Sequence, residues 1–289
     1  MKYDPVKDRL QALVGRNRLA RRLLFSILDR VFLRSRYVRR EIERLKLAGF
    51  APEQILDAGS GFGQYSFRLS QVFTQARITG LDIKEDLIQS CNDFWQSRGG
   101  DEGARVHFEV GNLLEMAYES QFDLALSVDV MEHIEEDERV FRNIGRALQP
   151  GGLFIMTTPY NDPSSQSGSS DQPFVDEHVR AGYSRPELTQ KLAQAGMIIE
   201  KFVITYGPYG NVAWTLLQKW PMRWLSRAKW TAPMVALYLF PASALAWIFM
   251  QLDMAACNRS GGGILAVAKK QGTGNSKQET ENRRGRLFQ

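Results

Sequence analysis

Short apolar runs alternate with longer segments of helical periodicity from about residue 53 onward. The apolar runs predict five strands, at 54–57, 77–82, 105–110, 123–128 and 153–157, and the segments between them predict helices at 63–74, 84–97 and 135–148. Strand and helix in regular succession are typical of parallel strands joined by right-handed crossovers, so this part predicts a three-layer α/β sheet. Pro150-Gly151-Gly152 predicts a tight turn that leads into the fifth strand.

Residues 1–48 form a basic arm with a helical pattern. Its apolar positions recur three and four residues apart, at Leu10, Leu13, Val14, Leu24, Ile27, Leu28 and Val31. Residues 1–46 hold fourteen basic and five acidic side chains, a balance of +9, whereas the whole chain has +5. Three interpretations stay open: a helix packed on the domain with a solvated basic face, a helix lying on anionic lipid, and a nucleic-acid arm. The last is disfavoured because the body shows no patch of interleaved aromatic and basic residues.

Composition excludes several classes of protein. An apolar fraction of 44% over 289 residues is too high for a disordered chain and is sufficient for a large core. The two cysteines, Cys91 and Cys257, show no metal-ligand spacing, so we expect no metal site and a reducing compartment. The N-terminus lacks the apolar core of a secretory signal, and we expect a cytoplasmic location. The polar tail 271–289 is predicted to be disordered.

The strongest candidate chemistry lies in Ile55-Leu56-Asp57-Ala58-Gly59-Ser60-Gly61-Phe62-Gly63, where a strand leads through a glycine-rich turn into a helix. Glycines at such a turn allow close approach of a ligand to the backbone. The next strand ends in Asp82, nineteen residues beyond Gly63, and an acid at that position can accept hydrogen bonds from both hydroxyls of a ribose. No Lys-Ser/Thr pair follows the glycines, which excludes a Walker-type phosphate site.

The order of five motifs resembles that of class I S-adenosylmethionine (SAM)-dependent methyltransferases of the small-molecule, type 11-like group. The motifs are LDAGSGFG, GLDI, GNLLEM, FDLALSVDVMEHI and LQPGGLFIMTTP, over residues 50–206, and the resemblance resumes at 262–270. It implies SAM as cofactor. No cluster of ligands in the sequence demands a metal, although Asp129 and Glu132 could hold one near a catechol. The implied cofactor-binding residues are Asp57, Ala58, Gly59, Ser60, Gly61, Gly63, Asp82, Ile83, Asn112, Leu113 and Ser127. Many relatives carry Asp where this chain has Asn112, whose amide oxygen can still accept a hydrogen bond from the adenine amine.

The candidates for catalysis are His133 and His178. His133 follows the fourth predicted strand, where substrates of the family meet the methyl group. It can hold substrate, act as a base at neutral pH or cap the next helix. His178 follows a polar loop at 161–173, and we expect it to project with Tyr183 toward the end of the fourth strand, or else to hold that loop in place. Asp129 and Tyr183 are the candidate substrate contacts.

The resemblance also implies a seven-stranded, Rossmann-like sheet whose last strand is antiparallel. Residues 197–205 match its sixth strand and 263–269 its seventh, which makes 207–260 an insert between them. The predicted organisation is therefore an arm at 1–48, a SAM-binding domain at 49–206, a helical insert at 207–260, the last strand at 261–270 and the tail.

The insert combines tryptophans with basic residues and then runs from residue 230 to 252 without a charged side chain. Such a combination is typical of a membrane–water interface. Three interpretations stay open: a helical hairpin bent near Pro241 that dips into one leaflet, a soluble lid over an apolar pocket, and a membrane span. The span conflicts with the fold because both flanking strands join one cytosolic sheet.

Taken together, these features predict a methyltransferase acting on a small, lipophilic acceptor, of quinone, isoprenoid or lipid type, at the inner face of a membrane. Peripheral contact is expected through 214–256 and the basic arm, with no nucleic acid as partner. The alternatives are a methyltransferase for a soluble molecule or RNA, and a non-catalytic SAM-fold scaffold at the membrane.

Overall fold

A computed structural model describes residues 18–161, 179–227 and 232–272. The chain forms two compact units. The first, here called the α/β unit, comprises Phe50–Met156, Arg185–Phe202 and the chain from Ala266; the second, called the helical unit, comprises the chain up to Gly49, Thr157–Ser184 and Val203–Leu265. The chain passes from one unit to the other within three of its strands.

Seven strands are present in the described residues: β1 (Gln54–Ala58), β2 (Arg77–Asp82), β3 (Val106–Val110), β4 (Phe122–Val128), β5 (Leu148–Pro159), β6 (Met197–Thr205) and β7 (Gly263–Lys270). The α-helices are α1 (Arg18–Val31), α2 (Leu33–Leu47), α3 (Gln64–Val72), α4 (Glu85–Gln96), α5 (Gly100–Ala104), α6 (Asp137–Ala147), α7 (Arg185–Gln194), α8 (Pro208–Trp214), α9 (Trp220–Arg227) and α10 (Ala232–Ala255). A 3₁₀ turn covers Met131–His133, and a π-helical segment, Thr215–Lys219, joins α8 to α9.

The strands form one sheet in the order β3-β2-β1-β4-β5-β7-β6. β1 pairs in parallel with both β2 and β4, and β2 pairs in parallel with β3. The predicted fold class is confirmed: a Rossmann-like sheet with flanking helices and an antiparallel last strand. The strands β1, β4 and β5 carry the buried apolar runs that predicted them, because strands covered by helices on both faces bury nearly every side chain.

One prediction about local structure needs correction, and one helix was missed. β5 begins at Leu148, so the predicted turn Pro150-Gly151-Gly152 lies within the bounds of the strand, although Gly151 keeps the positive φ of a turn (+82°). The short helix α5 was not predicted, because Gly-Asp-Glu-Gly-Ala lacks the apolar periodicity that predicts a helix.

In the helical unit, the basic arm packs against the end of the insert through a buried polar cluster. The Tyr37 hydroxyl donates to Asp253 Oδ2 (2.8 Å), and the Gly210 amide donates to Asp253 Oδ1 (2.9 Å). Asp253 is completely buried, and burial together with this carboxylate raises the pKa of Tyr37. Asn258 donates to the Ile204 carbonyl (3.2 Å). These bonds join α2, α8 and the last turn of α10.

Two further predictions fall within this unit. From residue 18 the arm is helical as predicted, whereas Leu10, Leu13 and Val14 lie outside the described residues. The described part of its apolar stripe is not uniformly buried: Leu28 is buried, but Ile27 is exposed. The predicted bend near Pro241 is wrong, because α10 continues through Pro241 to Ala255. The tail from 273 and the domain limits at 48, 206 and 260 stay predictions.

Candidate cofactor and active site

The register of the sheet aligns the carboxyl ends of four strands in the α/β unit. Asp57 on β1 is paired with Gly80 on β2 and with Leu126 on β4, and Asp82 is paired with Val110 on β3. The residues that follow these strands therefore lie at one edge of the sheet, where α/β proteins of this topology bind ligands.

The glycine-rich turn after β1 is anchored on β2. The amides of Gly59 and Ser60 both donate to the Leu81 carbonyl, at 2.8 and 3.0 Å. Gly59 has a φ of +81°, and a Cβ at this position would overlap the side chain of Val130. Gly61 has a φ of +52°, but no atom lies within 4 Å of where its Cβ would stand. The turn is therefore closely packed at Gly59 and leaves open space at Gly61.

Asp82 connects the turn to the end of β2. Its Oδ2 accepts from the Gly61 amide (2.8 Å), and its Oδ1 accepts from the Lys84 amide (3.1 Å). The side chain is only half-buried, and each carboxylate oxygen can accept a second hydrogen bond. Asp82 thus holds the turn and keeps acceptor capacity for a ligand.

Two buried hydroxyls lie near the carboxyl ends of β1 and β4: Ser60 follows β1, and Ser127 is among the last residues of β4. The Oγ atoms of Ser60 and Ser127 have no hydrogen-bond partner in the described part of the chain. Ser127 is fully buried, and Ser60 is 5% exposed. An unpaired buried hydroxyl is costly, so a polar ligand at this edge of the sheet would stabilise both groups.

The model of a family described as "Methyltransferase domain" matches residues 51–201, more than half of the chain. The chain belongs to this family. Its cofactor is S-adenosylmethionine. The glycine turn, Asp82 and the two unpaired serine hydroxyls fit that cofactor, since it carries a ribose and polar methionine groups.

Curated relatives and solved structures are similar to this chain over parts of their length. A 27-O-demethylrifamycin SV methyltransferase of Amycolatopsis mediterranei is 28% identical over 59% of this chain and 64% of its own. A sterol 24-C-methyltransferase of Pneumocystis carinii is 33% identical over 39% of this chain, but only 32% of its own. The O-methyltransferase from a trans-AT PKS multienzyme of Brevibacillus brevis, in complex with S-adenosyl-L-homocysteine, superimposes with a TM-score of 0.54 at 17% identity, covering 80% of this chain and 71% of its own. The chain thus spans less than two thirds of the two curated relatives.

Asp57, predicted to bind the cofactor, is completely enclosed in the methyltransferase fold. Its Oδ2 accepts from Ser66 Oγ (2.6 Å), which joins β1 to α3. Burial raises the pKa of Asp57 to about 6, against the opposing effect of the Ser66 hydrogen bonds, and the nearby Asp82 raises it further. The structure shows how Asp57 stabilises the loop, and its contact with SAM stays a prediction.

The raised pKa of Asp57 makes the stability of the protein depend on pH. The pKa of the carboxyl is about 6 in the folded protein against an ordinary value of 3.8, so the unfolded state loses the proton first as pH rises. We expect the free energy of unfolding, measured relative to Asp57→Asn, to fall between about pH 4 and pH 6 and to level off above. Urea unfolding of both proteins across this range measures the difference, and a difference that rises with pH would contradict the assignment.

The residues predicted to contact the adenine follow β2 and β3. Ile83 is 59% exposed, which leaves an apolar surface available for a base. Leu113 is buried, and Asn112 Oδ1 accepts from the Leu114 amide (3.0 Å). The amide oxygen predicted to accept from the adenine amine is thus already engaged in a local turn, although it has a second lone pair. Both roles stay predictions.

The residues after β4 place polar groups beside the glycine turn. Asp129 has a φ of +51°, a strained conformation for a residue other than glycine, and such strain is concentrated at functional sites. His133 ends the 3₁₀ turn and is half-buried, and its amide donates to the Val130 carbonyl (3.0 Å). Val130 itself packs against Gly59, so this segment adjoins the cofactor turn. Substrate contact by Asp129 and catalysis by His133 stay predictions.

Of the other two candidates, His178 falls outside the described residues, and Tyr183 lies in the helical unit. Tyr183 is completely buried, with its amide donating to the Pro159 carbonyl (3.1 Å) and the Arg180 guanidinium over its ring. A substrate contact by Tyr183 would require this segment to move, and that role stays untested. In the described residues, no group of three or more His, Cys, Asp or Glu side chains could hold a metal ion.

Several residues that shape the site were missed by the sequence analysis. Phe108 lies where a Cβ on Gly80 would stand, and it also packs beneath Gly63. The Cys91 thiol lies 3.7 Å from the Gly61 carbonyl. Nothing in the sequence distinguishes these side chains from ordinary core residues, because their positions depend on how α4 and β3 pack against the turn.

Proposed function

We propose that this protein transfers the methyl group of SAM to a small, lipophilic acceptor, through a hydroxyl or an activated ring carbon. The observation that carries the proposal is the preserved SAM-binding edge: the anchored glycine turn, the free acceptor capacity of Asp82 and the unpaired Ser127 hydroxyl. When bound, SAM supplies a methyl group on a sulfonium, which is already a strong electrophile. The main task of the chain is therefore to bind SAM and the acceptor, to orient them and to exclude water.

Individual residues divide this task. Asp82 holds the ribose from the end of β2, and the Gly59–Gly61 backbone lets the methionine end approach closely. Asp129 and His133 follow β4, which is where an acceptor would enter. His133 can take a proton from an acceptor hydroxyl, whereas an acceptor that is already nucleophilic needs no base.

The lipophilic nature of the acceptor is supported by the surface of the protein and by one relative. Exposed large apolar side chains are concentrated in the helical unit, where α10 contributes seven of them. The sterol 24-C-methyltransferase, similar over 39% of this chain, has a lipophilic acceptor in its name. The rifamycin and malonyl-[acyl-carrier protein] relatives act on other small or carrier-bound molecules by their names, so the comparison alone does not select a sterol-like acceptor.

The proposal is tested with purified protein, SAM labelled in its methyl group and an extract of the source cells. We expect the label to enter the organic phase after extraction and to be absent when Asp82→Ala replaces the wild type. Label confined to aqueous small molecules would refute a lipophilic acceptor while retaining methyl transfer. Label in ribonuclease-sensitive material would favour RNA, and intact SAM binding without any transfer would favour a non-catalytic scaffold.

A further inference from the structure

Helix α10 leaves seven large apolar residues exposed, whereas its buried stripe includes the small residues Ala242 and Ala246. The buried positions are Val235, Ala242, Ala246, Met250 and Asp253. The exposed ones, here called the α10 outer face, are Met234, Leu237, Phe240, Leu245, Trp247, Ile248 and Leu252. Phe240 is 86% exposed and Leu237 is 78% exposed. A helix on the surface of a water-soluble domain shows the reverse order, with its large apolar residues buried and polar residues outside.

This order is typical of helices whose outer surface meets lipid, where small residues make the helix–helix contact. Pro233–Ala255 is the one helix in the described residues that is long and apolar enough to cross a membrane, by length and composition alone. The buried core helix of a soluble protein can pass the same test, but only 24% of the apolar stretch is buried here. An exposed apolar face of this size marks an interaction surface.

Polar side chains that border the outer face are satisfied within the protein. Tyr238 Oη donates to the Leu216 carbonyl (3.1 Å), and Ser243 Oγ donates to the Leu239 carbonyl one turn earlier (2.6 Å). Gln251 Oε1 accepts from the Arg36 guanidinium (2.8 Å). These three hydrogen bonds are made within the protein. Burying the outer face in an apolar medium therefore does not break them.

The segment packed on α10 has the charge and aromatic content that an anionic lipid surface attracts. Residues 208–227 contain no acidic side chain, but include Lys219 and Arg223. Trp220 is exposed, and Trp224 packs edge-on against Tyr238 of α10. Tryptophan and basic residues are enriched where protein meets lipid headgroups.

The way α10 is held determines how it can meet a bilayer. Its buried stripe extends from Val235 to Asp253, so the helical unit contacts it along nearly its whole length. Its last turn is fixed by Tyr37 and Gly210 on the Asp253 carboxylate and by Arg40 on the Met254 carbonyl. A helix packed along one side cannot cross a bilayer end-on without losing those contacts, and it can immerse only its outer face.

We propose that this protein docks on anionic membranes through the α10 outer face, with α10 parallel to the surface and immersed in one leaflet. Lys219 and Arg223 then lie at the level of the headgroups. The inference rests on the helical unit and not on the acceptor proposed above, and its test measures lipid binding and not methyl transfer.

The test is flotation of purified protein with vesicles of phosphatidylcholine alone and of phosphatidylcholine mixed with phosphatidylglycerol. We expect binding to the anionic vesicles, weakened by salt and by Lys219→Gln/Arg223→Gln. Leu237→Asp/Phe240→Asp should lower the partition coefficient by about tenfold or more, because two large apolar side chains leave the lipid. Leu47→Asp is the matched control, since Leu47 is 89% exposed on α2 of the same unit and lies outside the proposed surface.

Depth of immersion is measured with an environment-sensitive fluorophore. The native thiol Cys257 is exposed beyond the end of α10, whereas Cys91 is buried, so Cys257 can be labelled selectively. We expect a blue shift on anionic vesicles for a label at position 240 in Phe240→Cys/Cys257→Ser, and little shift for a label on Cys257. Equal flotation of wild type and Leu237→Asp/Phe240→Asp, absence of any vesicle binding, or a dimer in solution that dissociates on this substitution would each overturn the proposal.

Discussion

Asp82→Ala is expected to weaken SAM binding by about tenfold to a hundredfold or more, at about 1.5–3 kcal/mol for each hydrogen bond lost to a charged group. The carboxylate is expected to accept from the ribose hydroxyls, and it also accepts from the Gly61 and Lys84 amides. Its removal therefore takes away a ligand contact and also the anchor that holds the glycine turn in position. Isothermal titration calorimetry with SAM measures the effect.

Asp82→Asn serves as the matched control. Its amide oxygen can still accept from the Gly61 amide, but the side chain carries no charge and one acceptor fewer, so we expect an intermediate loss of affinity. Thermal unfolding of both variants shows whether the fold is intact. Unchanged affinity in a folded Asp82→Ala protein would refute the assignment of this residue to the cofactor.

Gly59→Ala is expected to destabilise the protein by about 2–5 kcal/mol, the sum of a left-handed conformation imposed on alanine and of overpacking in a closed site. The φ of Gly59 is +81°, and the new Cβ would overlap Val130. Moving Val130 also disturbs the segment that leads to His133. Urea denaturation measures the loss of stability.

Gly61→Ala separates the cost of the left-handed conformation from the cost of overpacking. Its φ is +52°, but its Cβ would meet no atom within 4 Å, so we expect only the conformational cost of about 1–2 kcal/mol. Because the open space lies where SAM is expected to approach, the same variant should lose SAM affinity out of proportion to its stability. Val130→Ala should partly rescue Gly59→Ala and leave Gly61→Ala unchanged. Equal destabilisation by both alanines would show that the contact with Val130 is not important.

The sequence by itself determined most of the α/β unit. β1 and β2 were predicted to within one residue, because buried apolar runs between glycine turns and amphipathic segments leave little choice of element. The same local pattern identified the glycine turn and Asp82, since tight turns and strand ends are recorded in neighbouring residues. The methyltransferase family followed from the order of these motifs.

Only the tertiary structure decided what depends on distant contacts. Asp57 is buried and hydrogen-bonded to Ser66, and Asn112 Oδ1 accepts from a backbone amide. Tyr183 is completely buried. The residues next to each of these three in the sequence indicate none of this. Helix α10 likewise continues through Pro241, although proline by itself favours a kink or the end of a helix. An exposed proline loses one hydrogen bond, whereas the contacts made by the rest of the helix favour continuation. The sequence established that residues 230–252 are apolar, but packing decided which face of the helix remains outside.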